Sequence, residues 1–216
     1  MTGEATPTAA EALRLQLAMI AGRDLDARLE ARWRRPQGGM GQTFRPAGQG
    51  ASLVETVLDI GARTDIYLGA APRTEPNGTK RAVARAWCVW VDCDTQGAAE
   101  RLLAFRPAPT MILGSGRDHG RHGWWALREP LAAPQALERA LRRVAHHLGG
   151  DTACCDAGRI MRAAGTLNHK HGDPRPVEVE RLEPGAVYTA AGVAGGLPDP
   201  PKAAPARGVR AAPGAR

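Results

Sequence analysis

Three stretches of this 216-residue chain bring together residue types that a hydrophobic core would not choose. The first ends the apolar run Ala86-Trp87-Cys88-Val89-Trp90-Val91 with Asp92-Cys93-Asp94-Thr95. In a strand, side chains alternate, so Asp92 and Asp94 share a face about 7 Å apart. Two carboxylates at that spacing repel, and their oxygens suit Mg²⁺ or Mn²⁺. The plainer reading is a strand end whose Asp caps a helix starting near Gln96. The second stretch is Ser115-Gly116-Arg117-Asp118-His119-Gly120-Arg121-His122-Gly123. A Gly-rich basic loop of this kind offers backbone N–H groups, a hydroxyl, an imidazole and guanidinium groups to an anion. A histidine such as His122 could equally face solvent at the start of a strand. The third stretch runs from Asp151 to Lys170, with Arg159 and Arg162 spaced i,i+3, a turn at Gly165, then Asn168 and Lys170. Its plainer reading is a solvated loop with local ion pairs.

Taken together, the three stretches have one economical chemistry. Three carboxylates, Asp92, Asp94 and Asp151, can hold two divalent ions, and the histidine and arginines can hold a triphosphate against them. That inventory serves two-metal nucleotidyl transfer, an in-line displacement that needs no protein nucleophile.

The elements that must position these groups are legible from periodicity. Ala9–Ala21 has a helical stripe of Leu13, Leu17 and Ile20. Residues 28–44 alternate as a strand would, with glycine punctuation at 38–41. Ser52, with Glu55 three residues on, reads as the N-cap of a helix to about Ile60. Strands are expected at 65–70, 86–92, 109–114, 123–127 and 176–182, those at 109–114 and 123–127 forming a hairpin. A short helix is expected at 98–105 with Leu102 and Leu103 inward. The clearest helix runs from Pro134 to Leu148, with Leu137, Leu141, Val144 and Leu148 as its stripe and Gly149-Gly150 as its stop. Trp33, Trp87 and Trp90 are expected in the core. This irregular mixture predicts an α+β fold with mainly antiparallel pairing. Residues 1–50 contribute an N-terminal helix and strand to the same domain, 50–190 form its core, and 195–216 read as a disordered basic tail rich in Pro, Ala, Gly and Arg.

Hydrophobic content is 43% and charged content 24%, the balance of a soluble domain. No apolar run approaches the about 20 residues that span a bilayer, and Met1-Thr2-Gly3-Glu4 does not open a signal peptide. The expectation is a cytoplasmic protein with no membrane partner. Net charge is +7, and all but three of the 29 basic residues are Arg, which favours phosphate-bearing partners. The four cysteines form no CxxC pair, which argues against a zinc ribbon.

In order and spacing, hhDxD, then Ser-Gly…Gly-x-His-Gly-Trp-Trp-x-Leu, then Asp…Arg-x-x-Arg-x-x-Gly-Thr-x-Asn-x-Lys, the chain resembles the archaeo-eukaryotic primase superfamily. It is most similar to the RepB-like plasmid and phage primase branch and its primase-polymerase relatives. The likeness covers roughly residues 50–185. It implies a catalytic sheet resembling an RNA-recognition motif, a small second α/β unit, and an active site between them. It implies a DNA primase that synthesises primers on single-stranded DNA from nucleoside triphosphates, with two Mg²⁺ or Mn²⁺ ions. A replicative helicase is the further partner it points to, in plasmid, phage or mobile-element replication. Asp92, Asp94 and Asp151 match the metal-binding acids, with Asp156 as competitor for the third place. Ser115 and His122 match the phosphate-contacting motif, with His119 as a rival because the loop is longer than usual. Arg159, Arg162, Asn168 and Lys170 match the basic third motif, where Ala163-Ala164 stands in place of the frequent Leu-Pro.

Three other readings compete. A non-catalytic DNA-binding replication protein would keep the fold and its DNA contacts without chemistry. A metal-dependent glycosyltransferase explains Asp-x-Asp but not the Arg-x-x-Arg…Asn-x-Lys segment. A rolling-circle nuclease needs a tyrosine nucleophile, and Tyr67 and Tyr188, the only tyrosines, lie far in sequence from His119 and His122.

Overall fold

The computed structural model describes residues 7–170 and 172–201. Thr8 caps α1 (Ala9–Ala21): its hydroxyl accepts from the Glu11 N–H while the Glu11 carboxylate accepts from the Thr8 N–H. The predicted Leu13, Leu17 and Ile20 stripe is buried. The expected strand over 28–44 is a hairpin of β1 (Arg28–Arg34) and β2 (Met40–Pro46) turning at Gly38-Gly39. Helix α2 (Gly50–Gly61) begins before the expected cap. Ser52 lies inside its first turn, where its hydroxyl donates to the Gln49 carbonyl and caps no N–H group.

Strands β3 (Ile66–Gly69) and β4 (Arg85–Cys93) follow, then α3 (Gln96–Ala104). Thr95 caps α3 by accepting from the Ala98 N–H, which leaves Asp94 free of that role. Leu102 is buried as expected, but Leu103 is exposed. Adjacent helical residues point about 100° apart, so one narrow stripe cannot bury both. Strands β5 (Met111–Gly114) and β6 (Arg121–Ala132) form the expected hairpin, and α4 (Gln135–Leu148) ends on Gly149 in the left-handed region. The remainder is β7 (Ile160–Arg162), β8 (Leu167–Asn168), β9 (Arg175–Pro176), β10 (Glu178–Leu182), β11 (Val187–Tyr188) and α5 (Ala190–Ala194).

The strands form two larger sheets and one small one. One sheet runs β2-β1-β3-β7, antiparallel throughout. The other runs β4-β6-β5-β10, also antiparallel, and β11 adds parallel to β6 at Ala126 and Leu127. Strands β8 and β9 pair separately. The α+β class with mainly antiparallel pairing is the expected one. Helices α3 and α4 lie against β4, and α1 lies against α2 and β4. Trp90 is buried with Trp124 and Trp125, whereas Trp33 and Trp87 are only partly covered.

Residues 195–201, expected as the start of a tail, are tied to the body. Leu197 packs on the core, and Asp199 bridges Arg139 and Arg143 at 2.6 Å each. Residues 202–216, the rest of that stretch, lie outside the described residues. No described helix is long and apolar enough to cross a membrane.

Candidate active site

The pairing of β4 with β6 builds one wall of the site. Trp90 lies opposite Trp124 and Asp92 opposite His122. Directly opposed residues of antiparallel strands share a face. The two indole rings pack 6.1 Å apart in the core, and the carboxylate and imidazole follow them along the same face. His122 Nε2 lies 3.5 Å from Asp92 Oδ1.

Asp151 comes from the turn after α4. Its N–H donates to the Asp92 carbonyl at 2.8 Å, which docks the turn onto the end of β4. Gly150 permits that approach: a β-carbon there would stand 2.6 Å from Val91 Cγ2 and 2.8 Å from the Asp92 carbonyl oxygen. Trp90 Nε1 donates to the Cys154 carbonyl at 3.0 Å and fixes the other end of the turn. Cys154 Sγ then lies 3.3 Å from Asp151 Oδ2 and 3.5 Å from Asp92 Oδ2. Asp92, Asp151 and Cys154 each bring one ligand atom within 4.8 Å of the other two. Asp94 opens onto the same cleft, outside that cluster, and holds Arg117 at 3.1 Å.

The facing wall is cationic. Arg34 of β1 and Arg159 and Arg162 at β7 line a cleft of about 250 Å³ together with Tyr67 and Lys170. Arg162 is nearly buried, stands 5.2 Å from the Tyr67 ring centroid and bonds Asp65 at 2.9 Å. Burial works to raise the Asp65 carboxyl. The Arg162 hydrogen bond, the His169 N–H and the charges of Arg162 and Arg34 outweigh it and hold the group below the usual carboxylate range. Gln16 of α1, fully buried, donates to the Arg162 carbonyl and accepts from the Ala164 N–H, so the N-terminal helix fixes this wall.

Between the walls lies the loop at 115–120. It is closed by the Ser115 N–H on the Gly120 carbonyl. Gly116 has φ +74°, and a β-carbon there would meet Asn168 and the Arg175 backbone at 2.8–3.0 Å. Asn168 clamps the loop by donating to the Ser115 carbonyl at 2.7 Å.

Four buried side-chain atoms without a hydrogen-bond partner belong to residues that line this cleft: Asp92 Oδ1, Ser115 Oγ, His122 Nδ1 and Arg159 Nε. Buried polar groups are nearly always satisfied, so their concentration here marks a place where a polar ligand would supply the partners. Burial lowers the His122 pKa against the opposing pull of Asp92, so its imidazole is neutral near pH 7. Burial also raises the Cys154 thiol, reinforced by Asp92.

Of the residues singled out by sequence, Asp92, Asp94, Asp151, Ser115, His122, Arg159, Arg162 and Lys170 line one cleft. His119 is exposed on the loop, away from the cleft lining. Asp156 also lies outside it, beside Gly158 and the Lys80 backbone. Asn168 is buried beneath the loop and shapes the site without lining it. Sequence reasoning missed Arg34, Tyr67, Asp65 and Cys154. Cys154 sits three residues past Asp151, a signal that a search for CxxC pairs alone passes over.

The fold has solved counterparts. The cyanophage S-2L primase-polymerase AEP domain aligns with TM-score 0.66 and 19% identity, over 87% of this chain and 97% of that one. This is the fold of an archaeo-eukaryotic primase domain. The primase RepB′ aligns with TM-score 0.63 and 18% identity, over 85% of this chain and 59% of that longer one. The RepB′ catalytic domain in complex with initiator DNA aligns with TM-score 0.62 and 19% identity, over 86% of this chain and 90% of that one. No protein-family model and no curated protein sequence matches the chain. Within the primase fold, the cleft between the two sheets holds the acidic and cationic walls.

Proposed function

We propose that the chain is a DNA primase or primase-polymerase domain that joins nucleoside triphosphates on a single-stranded DNA template. The observation that carries this is the facing of three carboxylates and a set of cations across one cleft of a primase fold. The unpartnered Asp92 Oδ1 and the close approach of Asp92 and Asp151 fit divalent cations. Asp92, Asp94 and Asp151 would hold two of them, Mg²⁺ or Mn²⁺. Such ions, when bound, activate a 3′-hydroxyl and stabilise charge on the transferred phosphoryl group.

The chain's own residues bind and orient. Arg159, Arg162 and Lys170 meet the triphosphate charge. Arg162 arrives already aimed, because Asp65 and the Tyr67 ring fix it, so less entropy is lost on binding. Ser115 and the neutral His122 donate hydrogen bonds to phosphate oxygens. A neutral imidazole donates without adding a charge beside the metal ions. Arg117 neutralises Asp94 until metal arrives and then turns to the nucleotide. The complex of the RepB′ domain with initiator DNA supports a DNA template here. A replicative helicase partner, replication of a plasmid, phage or mobile element, and a cytoplasmic setting belong to the same reading.

The test is primer synthesis on single-stranded DNA with labelled nucleotides and Mg²⁺ or Mn²⁺. Wild type should extend from nucleotides alone. Asp92→Asn and Asp151→Asn should each lower the rate at least about 10³-fold while DNA affinity persists, as loss of strong charge stabilisation does. Folded wild type that makes no product with either metal overturns the proposal.

A further inference from the structure

We infer that Asp92, Asp151 and Cys154 form a mixed carboxylate–thiolate site that binds a borderline-soft divalent cation, Co²⁺ or Zn²⁺, through Cys154 Sγ. The inference rests on the primase reading and names the metal class of the same cleft. An all-oxygen site would be expected for Mg²⁺ alone, since hard cations shun sulfur. Here a buried cysteine stands where a ligand would.

The Cys154 thiol donates to both carboxylates, and the same distances suit ligands sharing an ion once its proton has left. A metal–sulfur bond of about 2.3 Å and a metal–oxygen bond of about 2.1 Å place S and O about 3.1–3.6 Å apart, across octahedral to tetrahedral angles. Cys154 Sγ lies 3.3 Å from Asp151 Oδ2 and 3.5 Å from Asp92 Oδ2. The sulfur is held there from behind, because Trp90 fixes the Cys154 carbonyl and Asp151 caps the turn by accepting from the Ala153 N–H. Ser115 and His122 point independently to a ligand. Both are more than nine-tenths buried, both carry an unpartnered polar atom, and both line the same cleft. Cys155, the neighbouring thiol, lies outside the cluster and serves as an internal control. As the sulfur–metal bond forms, the thiol proton passes to solvent, so the charges balance.

The test uses the full chain, reduced and metal-free, titrated with Co²⁺ and with no nucleotide present. Wild type and Cys155→Ser should show a near-ultraviolet thiolate-to-cobalt charge-transfer band. Cys154→Ser should lack it and bind Co²⁺ more than about 100-fold more weakly, beyond what loss of an outer-shell partner costs. X-ray absorption of the Zn²⁺-loaded wild type should show one sulfur neighbour at about 2.3 Å, a readout that holds even if Cys154→Ser does not fold. No band and no sulfur neighbour in wild type overturns the inference, as does a band lost only in Cys155→Ser. A sulfur-ligated metal in a protein that makes no primer would retain this site and remove the primase reading. Primer synthesis without sulfur ligation would do the reverse.

Discussion

Single side chains of the cleft divide into those that meet the ligand and those that hold them. Asp65 is of the second kind. It sits beneath Arg162 and Arg34 and accepts the His169 N–H. Asp65→Ala leaves the nearly buried Arg162 without its counter-charge and should cost about 3 kcal/mol, read as the shift in urea midpoint. Its folded-state pKa lies below the unfolded value, so its stabilisation is full above about pH 4 and is lost as pH falls through the folded value. The acid limb of the wild-type stability curve should therefore be steeper than that of Asp65→Ala. Equal limbs would remove Asp65 as the anchor. Under the proposed function, Arg117 is of the first kind. Arg117→Ala should tighten metal binding by freeing Asp94 and raise the nucleotide KM several-fold, measured by metal titration and steady-state kinetics. Unchanged metal affinity would show that the Asp94–Arg117 ion pair does not compete with metal.

At the scale of elements, the site depends on a strand end and a helix end meeting. Strand β4 presents Asp92, the turn after α4 presents Asp151, and Gly150 is the hinge of their approach. A methyl group at Gly150 has no room, so Gly150→Ala must push the turn off β4. It should cost about 1–3 kcal/mol of stability, the usual range for overpacking, and weaken metal binding by a larger factor than any substitution of exposed α4 residues. Trp90→Phe tests the other tether. It removes the indole N–H that holds the Cys154 carbonyl, which should cost about 1–2 kcal/mol and broaden the metal site's selectivity. Retained stability and unchanged metal affinity in both variants would detach the turn from the site.

For the whole molecule, net charge of +7 and the cationic wall predict DNA affinity that falls steeply with salt. Residues 202–216 carry one Lys and three Arg and no acid. Ending the chain at residue 201 should flatten the slope of log affinity against log salt by up to about 3, at roughly 0.7 for each single-strand phosphate that is no longer neutralised. Fluorescence anisotropy with a labelled oligonucleotide measures it, and an identical slope would exclude those residues from template binding. Residues 195–201 belong with the body in this experiment, because Asp199 and Leu197 tie them to it.

Much of this was legible before any coordinates. Period-2 and period-3.6 patterns located β4, α1 and α4, and Asp-x-Asp named two of the acids because a strand must put both on one face. Composition and charge pointed to phosphate partners. Where local signals competed, they misled: Ser52 resembled a cap but sits inside α2, and the strand over 28–44 was two. The rest lay beyond sequence because it depends on packing between residues far apart in the chain. Only the β4–β6 register sets His122 beside Asp92 and leaves His119 on the surface. Only the docking of the α4 turn on the Asp92 carbonyl brings Asp151 in and leaves Asp156 out. Asn168 became a clamp under the loop because β8 folds back against Ser115. Cys154 joined the carboxylates because Trp90, 64 residues earlier, holds its backbone. Sequence alone determined which chemical groups this protein owns and the faces of strands and helices they occupy. The tertiary structure decided which of them share a cleft, because that depends on how the two sheets pack together.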